Sequence, residues 1–158
     1  MKCGTKWGKV VIKMLSGEYR HSIDDKKRLI IPSKIRNAMG GTIVLTRGLD
    51  GCLFGYSEKD WNNIMEKLST LPFTKADARN FTRFLTSGAT LLEFDKQGRI
   101  IIPKFLSDYA NLLHDVVIVG VIGRIEIWSK NAWEEFMNNN IERLSDISEN
   151  LFDSNLTL

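Results

Sequence analysis

The chain has 158 residues, of which 43% are hydrophobic and 26% charged, with a formal net charge of +3. This balance is typical of a globular domain that buries a core, and it excludes collagen, coiled-coil rods and wholesale disorder. No apolar run approaches the roughly 20 residues that a membrane-spanning helix needs.

Charge is distributed unevenly along the chain. Residues 1–50 contain 11 Lys and Arg against 4 Asp and Glu, whereas residues 134–158 contain 1 basic residue and 6 acidic ones. The basic first part suggests a polyanionic partner, and the acidic residues 143–158 suggest a solvated tail that frays from Glu142 onward. Two cysteines are too few for a disulfide scaffold, so we expect free thiols and a cytoplasmic location.

Residues 14–70 contain the signals of a mixed fold. They predict, in order, a strand, a D-x-x-x-R turn, a short strand, a proline that starts a short helix, two strands joined by a tight turn, and an amphipathic helix. The signals in chain order are Asp24–Arg28, Leu29-Ile30-Ile31, Pro32, the C-cap Gly40-Gly41, Ile43-Val44-Leu45, Asp50-Gly51, the N-cap Ser57 and Trp61.

Residues 71–88 are predicted to form a bridge between two halves of the chain. Leu71-Pro72 breaks the chain, and Lys75–Ser87 is predicted to form a helix with an apolar face that includes Phe84. Its opposite face carries a basic stripe, made of Lys75, Arg79 and Arg83, for which a solvated surface is the simpler interpretation and nucleic-acid contact the alternative.

Residues 89–142 repeat the first half. The segment 95–103 matches 24–32, and the later residues Gly120, Ser129 and Trp133 match Gly48, Ser57 and Trp61. One half of this size buries only a small core. We therefore expect the two halves to pack together as one pseudo-two-fold unit.

The chain contains no motif for catalysis, a metal or a cofactor. His21 and His114 lack the spacing of metal ligands, and phosphate-binding and nucleophile motifs are absent. Cys52 is interpreted as a small buried hydrophobe and His21 as a partly buried strand residue. We therefore predict that the protein is not an enzyme and needs no cofactor.

The Asp24/Arg28 and Asp95/Arg99 pairs flank the two predicted turns. An aspartate can accept backbone N–H groups across such a turn and also hold the arginine, which would fix a guanidinium beside Lys26, Lys27 or Lys96. Arginines fixed in this way can bind phosphate or a guanine edge. The alternative is that both pairs only shape the fold.

Taken together, these segments resemble the MraZ family of bacterial transcriptional regulators, which is related to AbrB-like swapped-hairpin proteins. The resemblance covers roughly residues 14–142. It is carried by these segments: Gly17–Asp24, Leu45–Leu53, Ser87–Ala89, Asp95–Arg99 and Glu126–Trp128.

The resemblance implies an α+β fold: a duplicated, pseudo-two-fold, β-barrel-like domain with peripheral amphipathic helices. It implies a ring-shaped homo-oligomer in the cytoplasm and nucleoid that binds double-stranded DNA at short G-rich direct repeats, upstream of its own gene in the division and cell-wall cluster. An AbrB-like antitoxin or an RNA-binding module is the alternative. The expected DNA-binding residues are Arg28, Arg99, Lys26, Lys27, Lys96 and Arg20, with Asp24, Asp95 and Gly98 shaping the turns.

Two features depart from the family pattern. Lys27 stands where the second copy has Gly98; if the position needs a positive φ, lysine costs about 1 kcal/mol, and the two turns are expected to differ. The alternative is that the extra cation strengthens phosphate contact in the first copy. Residues 1–13 form an extension before Met14. We hypothesise that translation starts at Met14 and that the preceding codons, including TGG-GGN for Trp7-Gly8, belong to the operator. A basic arm that contacts phosphates is the alternative.

Overall fold

The computed structural model describes residues 15–152, so the extension 1–13 lies outside the described residues. The strands of this range are β1 (Glu18–Ser22), β2 (Arg28–Ile30), β3 (Thr42–Arg47), β4 (Leu53–Tyr56), β5 (Thr90–Glu93), β6 (Arg99–Ile101), β7 (Asp115–Val121) and β8 (Arg124–Ser129). The helices are α1 (Ser33–Met39), α2 (Glu58–Ser69), α3 (Ala76–Ser87), α4 (Lys104–Tyr109), α5 (Lys130–Asn140), a 3-10 turn (Ile141–Arg143) and α6 (Leu144–Leu151).

Six strands form one antiparallel sheet in the order β1-β7-β8-β4-β3-β5, and β2 and β6 form a separate two-stranded ribbon. The counterparts in the two halves are β1 and β5, β2 and β6, β3 and β7, and β4 and β8. When each strand of the sheet is replaced by its counterpart, the strand order is the same but runs in the opposite direction. The sheet therefore has a pseudo-two-fold axis between β4 and β8. Since β1 of the first half pairs with β7 of the second, and β3 with β5, the halves share one sheet, which confirms that they pack as one unit.

The alternation of side chains along each strand gives the sheet two buried faces. On the ribbon face, residues such as Ile43, Ile118 and Ile127 pack with the ribbon and with α1 and α4. On the helix face, residues such as Val44, Val117 and Trp128 pack with α2, α3 and α5. Consequently, a side chain on β1 belongs to one face or the other according to its position along the strand.

Local sequence signals produce the predicted turns and caps. The Ser57 and Ser129 side chains each accept a backbone N–H at 3.1 Å, from Asp60 and Ala132, and so cap α2 and α5. Asp50 and Gly51 have φ values of 65° and 80°, which is the geometry of a type I′ hairpin turn. The predicted bridging helix is α3, although it begins one residue later than expected, at Ala76.

Two expectations differ from the structure. Within residues 15–152, no hydrogen-bonded pairing joins β1 to β5, so each of these strands ends the sheet and the structure does not show the expected barrel-like closure. Instead, the ribbon of β2 and β6 covers the core on the ribbon face of the sheet. The expected acidic tail is helical up to Leu151, since the chain continues through the 3-10 turn into α6, and neither element buries a residue. No helix of the described range is both long and apolar enough to cross a bilayer.

Candidate functional site

The first turn is built around the side chain of Asp24, directly after β1. Its Oδ1 accepts the backbone N–H groups of Lys26 at 3.0 Å and Arg28 at 2.9 Å. The Asp24 carbonyl also accepts the Lys27 N–H at 2.9 Å. One carboxylate oxygen thus closes the turn, as the residue type and spacing predict.

The second turn has the same hydrogen bonds. Asp95 Oδ1 accepts the backbone N–H groups of Gln97 at 2.8 Å and Arg99 at 2.9 Å, and the Asp95 carbonyl accepts the Gly98 N–H at 3.0 Å. Lys27 has φ 62° and Gly98 has φ 78°, so both lie in the left-handed region. The expectation that the two turns differ is therefore wrong: the position does need a positive φ, and lysine adopts it.

Each turn also fixes a guanidinium group. Arg28 Nε donates to Asp24 Oδ2 at 2.6 Å, and Arg99 Nε donates to Asp95 Oδ2 at 2.8 Å. The arginine side chains keep 32% and 26% of their surface exposed, so neither guanidinium lies in the interior. Within residues 15–152, no protein acceptor is hydrogen-bonded to the terminal Nη atoms of either group.

The electrostatics of the two carboxylates follow from these contacts. The backbone N–H of Arg28 lowers the pKa of Asp24, and the Arg28 guanidinium lowers it further. The backbone N–H and guanidinium of Arg99 lower the pKa of Asp95 in the same way. Both aspartates are therefore charged at neutral pH, and each holds its arginine as an ion pair.

The ribbon places both arginines on one outward face. In the antiparallel register of β2 and β6, Arg28 stands opposite Ile101, and Ile30 stands opposite Arg99. The residues between them, Leu29 and Ile100, point inward and are buried. We call these four outward residues the ribbon surface: Arg28, Ile30, Arg99 and Ile101.

The predicted lysines lie at different positions relative to this surface. Lys26 and Lys96 are exposed in the two turns beside the ribbon. Lys27 is half-buried, and its Nζ donates to the Leu112 carbonyl at 3.4 Å, so its ammonium group already has a partner within the protein.

Arg20 does not join the ribbon surface. Its neighbour Tyr19 packs into the ribbon-face core, so Arg20 projects to the helix face of the sheet. There it donates to Glu18 at 2.8 Å and to Glu134 of α5 at 3.3 Å. The structure thus separates Arg20 from the other predicted DNA-binding residues and surrounds it with carboxylates.

Ile30 and Ile101 lie on the surface, although each belongs to an apolar run that is predicted to form a buried strand. Ile30 is 45% exposed and Ile101 is 61% exposed. The alternation of side chains along a strand is the signal that could have identified Ile30 as a surface residue, since it places Ile30 on the same face of β2 as Arg28.

Other chemistry-bearing residues are not assembled into a site. Cys52 is buried, and burial raises the pKa of its thiol to about 12. In the described part of the chain, no three His, Cys, Asp or Glu side chains are grouped to hold a metal ion. The basic stripe of α3 is exposed, and Arg79 donates to the Phe73 carbonyl at 3.0 Å.

Comparison with known proteins gives a consistent result. The family model described as "MraZ protein, putative antitoxin-like" matches twice, at residues 14–84 and 85–155. A relative from Thermoanaerobacter sp. (strain X514) is 53% identical over 143 residues, which are 90% of this chain and 100% of the relative. Relatives from Ligilactobacillus salivarius (strain UCC118) and Caldanaerobacter subterraneus are 53% and 52% identical with the same coverage. All three are named "Transcriptional regulator MraZ", a name that describes a regulator and not an enzyme.

Proposed function

The chain belongs to the MraZ family, and from this premise we propose that it is a transcription regulator that binds double-stranded DNA through the ribbon surface and the two adjoining turns. The observation that carries the proposal is the pair of equivalent guanidinium groups, each held at Nε by an aspartate and presented on the same outward face. Because Nε is occupied, the two Nη atoms are left for bidentate contact with O6 and N7 of guanine.

The spacing of the two arginines supports binding in the major groove. Diagonal neighbours in an antiparallel ladder lie about 7 to 8 Å apart, which is close to the rise of two base pairs at about 3.4 Å each. A two-stranded ribbon also has the width that the major groove admits. The arginines would therefore reach bases near each other, while Lys26 and Lys96 would contact the flanking phosphates.

Several copies acting together would supply affinity that one copy lacks. A net charge of +3 is modest for a DNA-binding protein. A ring-shaped homo-oligomer on short G-rich direct repeats would convert many weak contacts into strong binding, since each later contact becomes intramolecular. We propose that these repeats lie upstream of the protein's own gene in the division and cell-wall cluster, and that the protein acts in the cytoplasm at the nucleoid.

A second candidate function is an AbrB-like antitoxin, which the antitoxin-like description of the family model favours, or an RNA-binding module. The geometry favours duplex DNA over duplex RNA, because the deep, narrow major groove of A-form RNA does not admit a ribbon. Preference for RNA over DNA of the same sequence, or a stable complex with a toxin encoded beside the gene, would support the alternative.

The proposal is tested by fluorescence anisotropy with a labelled duplex from immediately upstream of the gene. A shuffled duplex of the same composition is the control for specificity. We expect tighter binding to the native duplex and affinity that falls steeply with salt, because several phosphates are neutralised. Equal affinity for the two duplexes at all salt concentrations would contradict sequence-specific binding.

A further inference from the structure

The ribbon surface exposes two isoleucines that lie outside both core clusters. Ile30 and Ile101 are 45% and 61% exposed, whereas Leu29 and Ile100 beside them are fully or almost fully buried and fill the core. The two exposed isoleucines occupy equivalent positions in the two halves. An apolar side chain at the same outward position of both copies calls for a function outside the core.

The ladder brings each isoleucine against one of the fixed arginines. The N–H groups of Ile31 and Ile102 donate to the carbonyls of Gly98 and Lys27, at 3.0 Å and 2.8 Å. Alternation along the ladder then makes Arg28–Ile101 and Ile30–Arg99 non-hydrogen-bonded pairs, in which Cα atoms are only about 4.5 Å apart and side chains lie closest. Each pair thus places an arginine, which can donate two hydrogen bonds, beside an isoleucine, which offers an apolar contact.

We propose that Ile30 and Ile101 determine specificity by contacting thymine C5-methyl groups, while the arginine of the same pair binds a neighbouring guanine. This inference rests on the proposed DNA-binding function. In the major groove, guanine offers two acceptors to an arginine and thymine offers a methyl group to an apolar side chain. Each Arg–Ile pair would therefore select a guanine next to a thymine, so an operator of guanines alone would be bound less tightly.

A protein partner is a poorer occupant of the same surface. Burying the isoleucines under an apolar protein face would also remove water from Arg28, Arg99 and their two aspartates, which is costly unless new partners are supplied. A duplex supplies acceptors to both guanidinium groups at the same time as methyl groups to the isoleucines. The mixture of charge and apolar surface therefore matches a base edge better than a second protein.

The experiment compares two forms of one probe, the duplex from immediately upstream of the gene, made with thymine or with uracil throughout. Uracil lacks only the C5-methyl group. The wild-type protein is expected to bind the uracil duplex about threefold to tenfold more weakly, from the loss of one or two buried methyl contacts. The Ile30→Ala/Ile101→Ala variant should bind the thymine duplex as weakly as the wild-type protein binds the uracil duplex. Its own affinity should not fall further when the uracil duplex is used.

Leu91→Ala is the matched control. Leu91 is 53% exposed and pairs with Val44 of the helix-face core, so it lies on the opposite face of the sheet from the ribbon. This variant should keep the wild-type ratio of thymine to uracil affinity. Because the three substituted side chains are exposed, all variants should keep the wild-type circular dichroism spectrum and melting temperature within a few degrees.

The outcomes separate the two hypotheses. Wild-type protein that binds the upstream duplex with equal affinity in both forms overturns the role of the isoleucines and leaves DNA binding intact. An alanine variant that still prefers thymine also overturns it, since the methyl groups would then be recognised elsewhere. Failure of the wild-type protein to bind either duplex overturns both this inference and the proposed function.

Discussion

The guanidinium of Arg36 lies directly over Gly98. A Cβ placed on Gly98 would stand 2.6 Å from Arg36 Cζ and 2.6 Å from its Nε, which also donates to the Ile31 carbonyl at 2.9 Å. The equivalent of Arg36 in the second half is Ser107, a small buried residue. The first turn therefore has room for Lys27, whereas a side chain at Gly98 would have to displace the Arg36 guanidinium.

This relationship predicts a rescue. Gly98→Lys should destabilise the protein, because the residue has φ 78° and its side chain would displace Arg36. We expect a loss of about 1 to 3 kcal/mol in the free energy of unfolding. Adding Arg36→Ser to Gly98→Lys, which copies the Lys27/Ser107 arrangement, should recover part of that loss in urea unfolding. A double variant no more stable than Gly98→Lys would show that Arg36 is not the obstacle.

Arg28→Ala should abolish sequence-specific DNA binding while the fold survives. The ion pair that it removes is partly exposed, and such pairs contribute little to stability. Arg99→Ala should act in the same way at the second turn, and Lys67→Ala, which removes one exposed charge from α2, should leave specificity unchanged. Anisotropy on the native and shuffled duplexes measures the effect. If Arg28→Ala unfolds the protein, the Asp–Arg pair is primarily structural.

Asp24→Asn and Asp24→Ala should separate the two roles of Asp24. Asparagine keeps an oxygen for the Lys26 and Arg28 N–H groups, but its amide cannot accept from Arg28 Nε. Alanine loses both roles. We therefore expect a lower melting temperature for Asp24→Ala than for Asp24→Asn, and weakened DNA binding in both. Equal melting temperatures for the two variants would indicate that the N–H contacts do not hold the turn.

The lowered pKa values of Asp24 and Asp95 predict that the contribution of these two carboxylates to stability depends on pH only under acidic conditions. In the folded protein, these carboxyls stay charged below their ordinary value of 3.8. Their contribution is therefore complete above 3.8 and is lost as the pH falls through the lowered values. Urea unfolding should show a constant difference between wild type and Asp24→Asn/Asp95→Asn from neutral pH down to mildly acidic pH, and a shrinking difference below it. A difference that shrinks already near neutral pH would contradict this assignment.

Cys52 should be unreactive in the folded protein. Its thiol is buried and donates to the Leu49 carbonyl at 3.1 Å, and burial raises its pKa to about 12, so the nucleophilic thiolate is scarce at ordinary pH. In a Cys3→Ser background, we expect a disulfide-exchange reagent to label Cys52 only after denaturation. Rapid labelling of the native protein would show that this part of the core opens readily.

Much of the local structure could be predicted because its causes lie close together in the chain. The turn of Asp24 and Arg28 is held by contacts between residues no more than four positions apart, and Ser57 caps the helix that it precedes. The duplication predicted a shared pseudo-two-fold unit, since half of the chain buries too small a core. That β1 and β5 do not pair with each other within residues 15–152 could not be predicted from the strands alone, because it depends on which edges meet.

The spacing of residues identified the Asp–Arg pairs of the candidate site. It could not place Arg20 on the helix face or Ile30 and Ile101 on the ribbon surface, because those positions depend on how the strands pack.

The sequence by itself determined two rigid turns, each with a carboxylate that closes the backbone and holds an arginine. Only the tertiary structure decided that Arg28 faces Ile101, that Arg20 lies on the helix face beside Glu134, and that Gly98 lies under Arg36. The physical reason is that cross-strand register and the choice of buried face arise when distant segments pack around a shared core. No spacing within one segment encodes them.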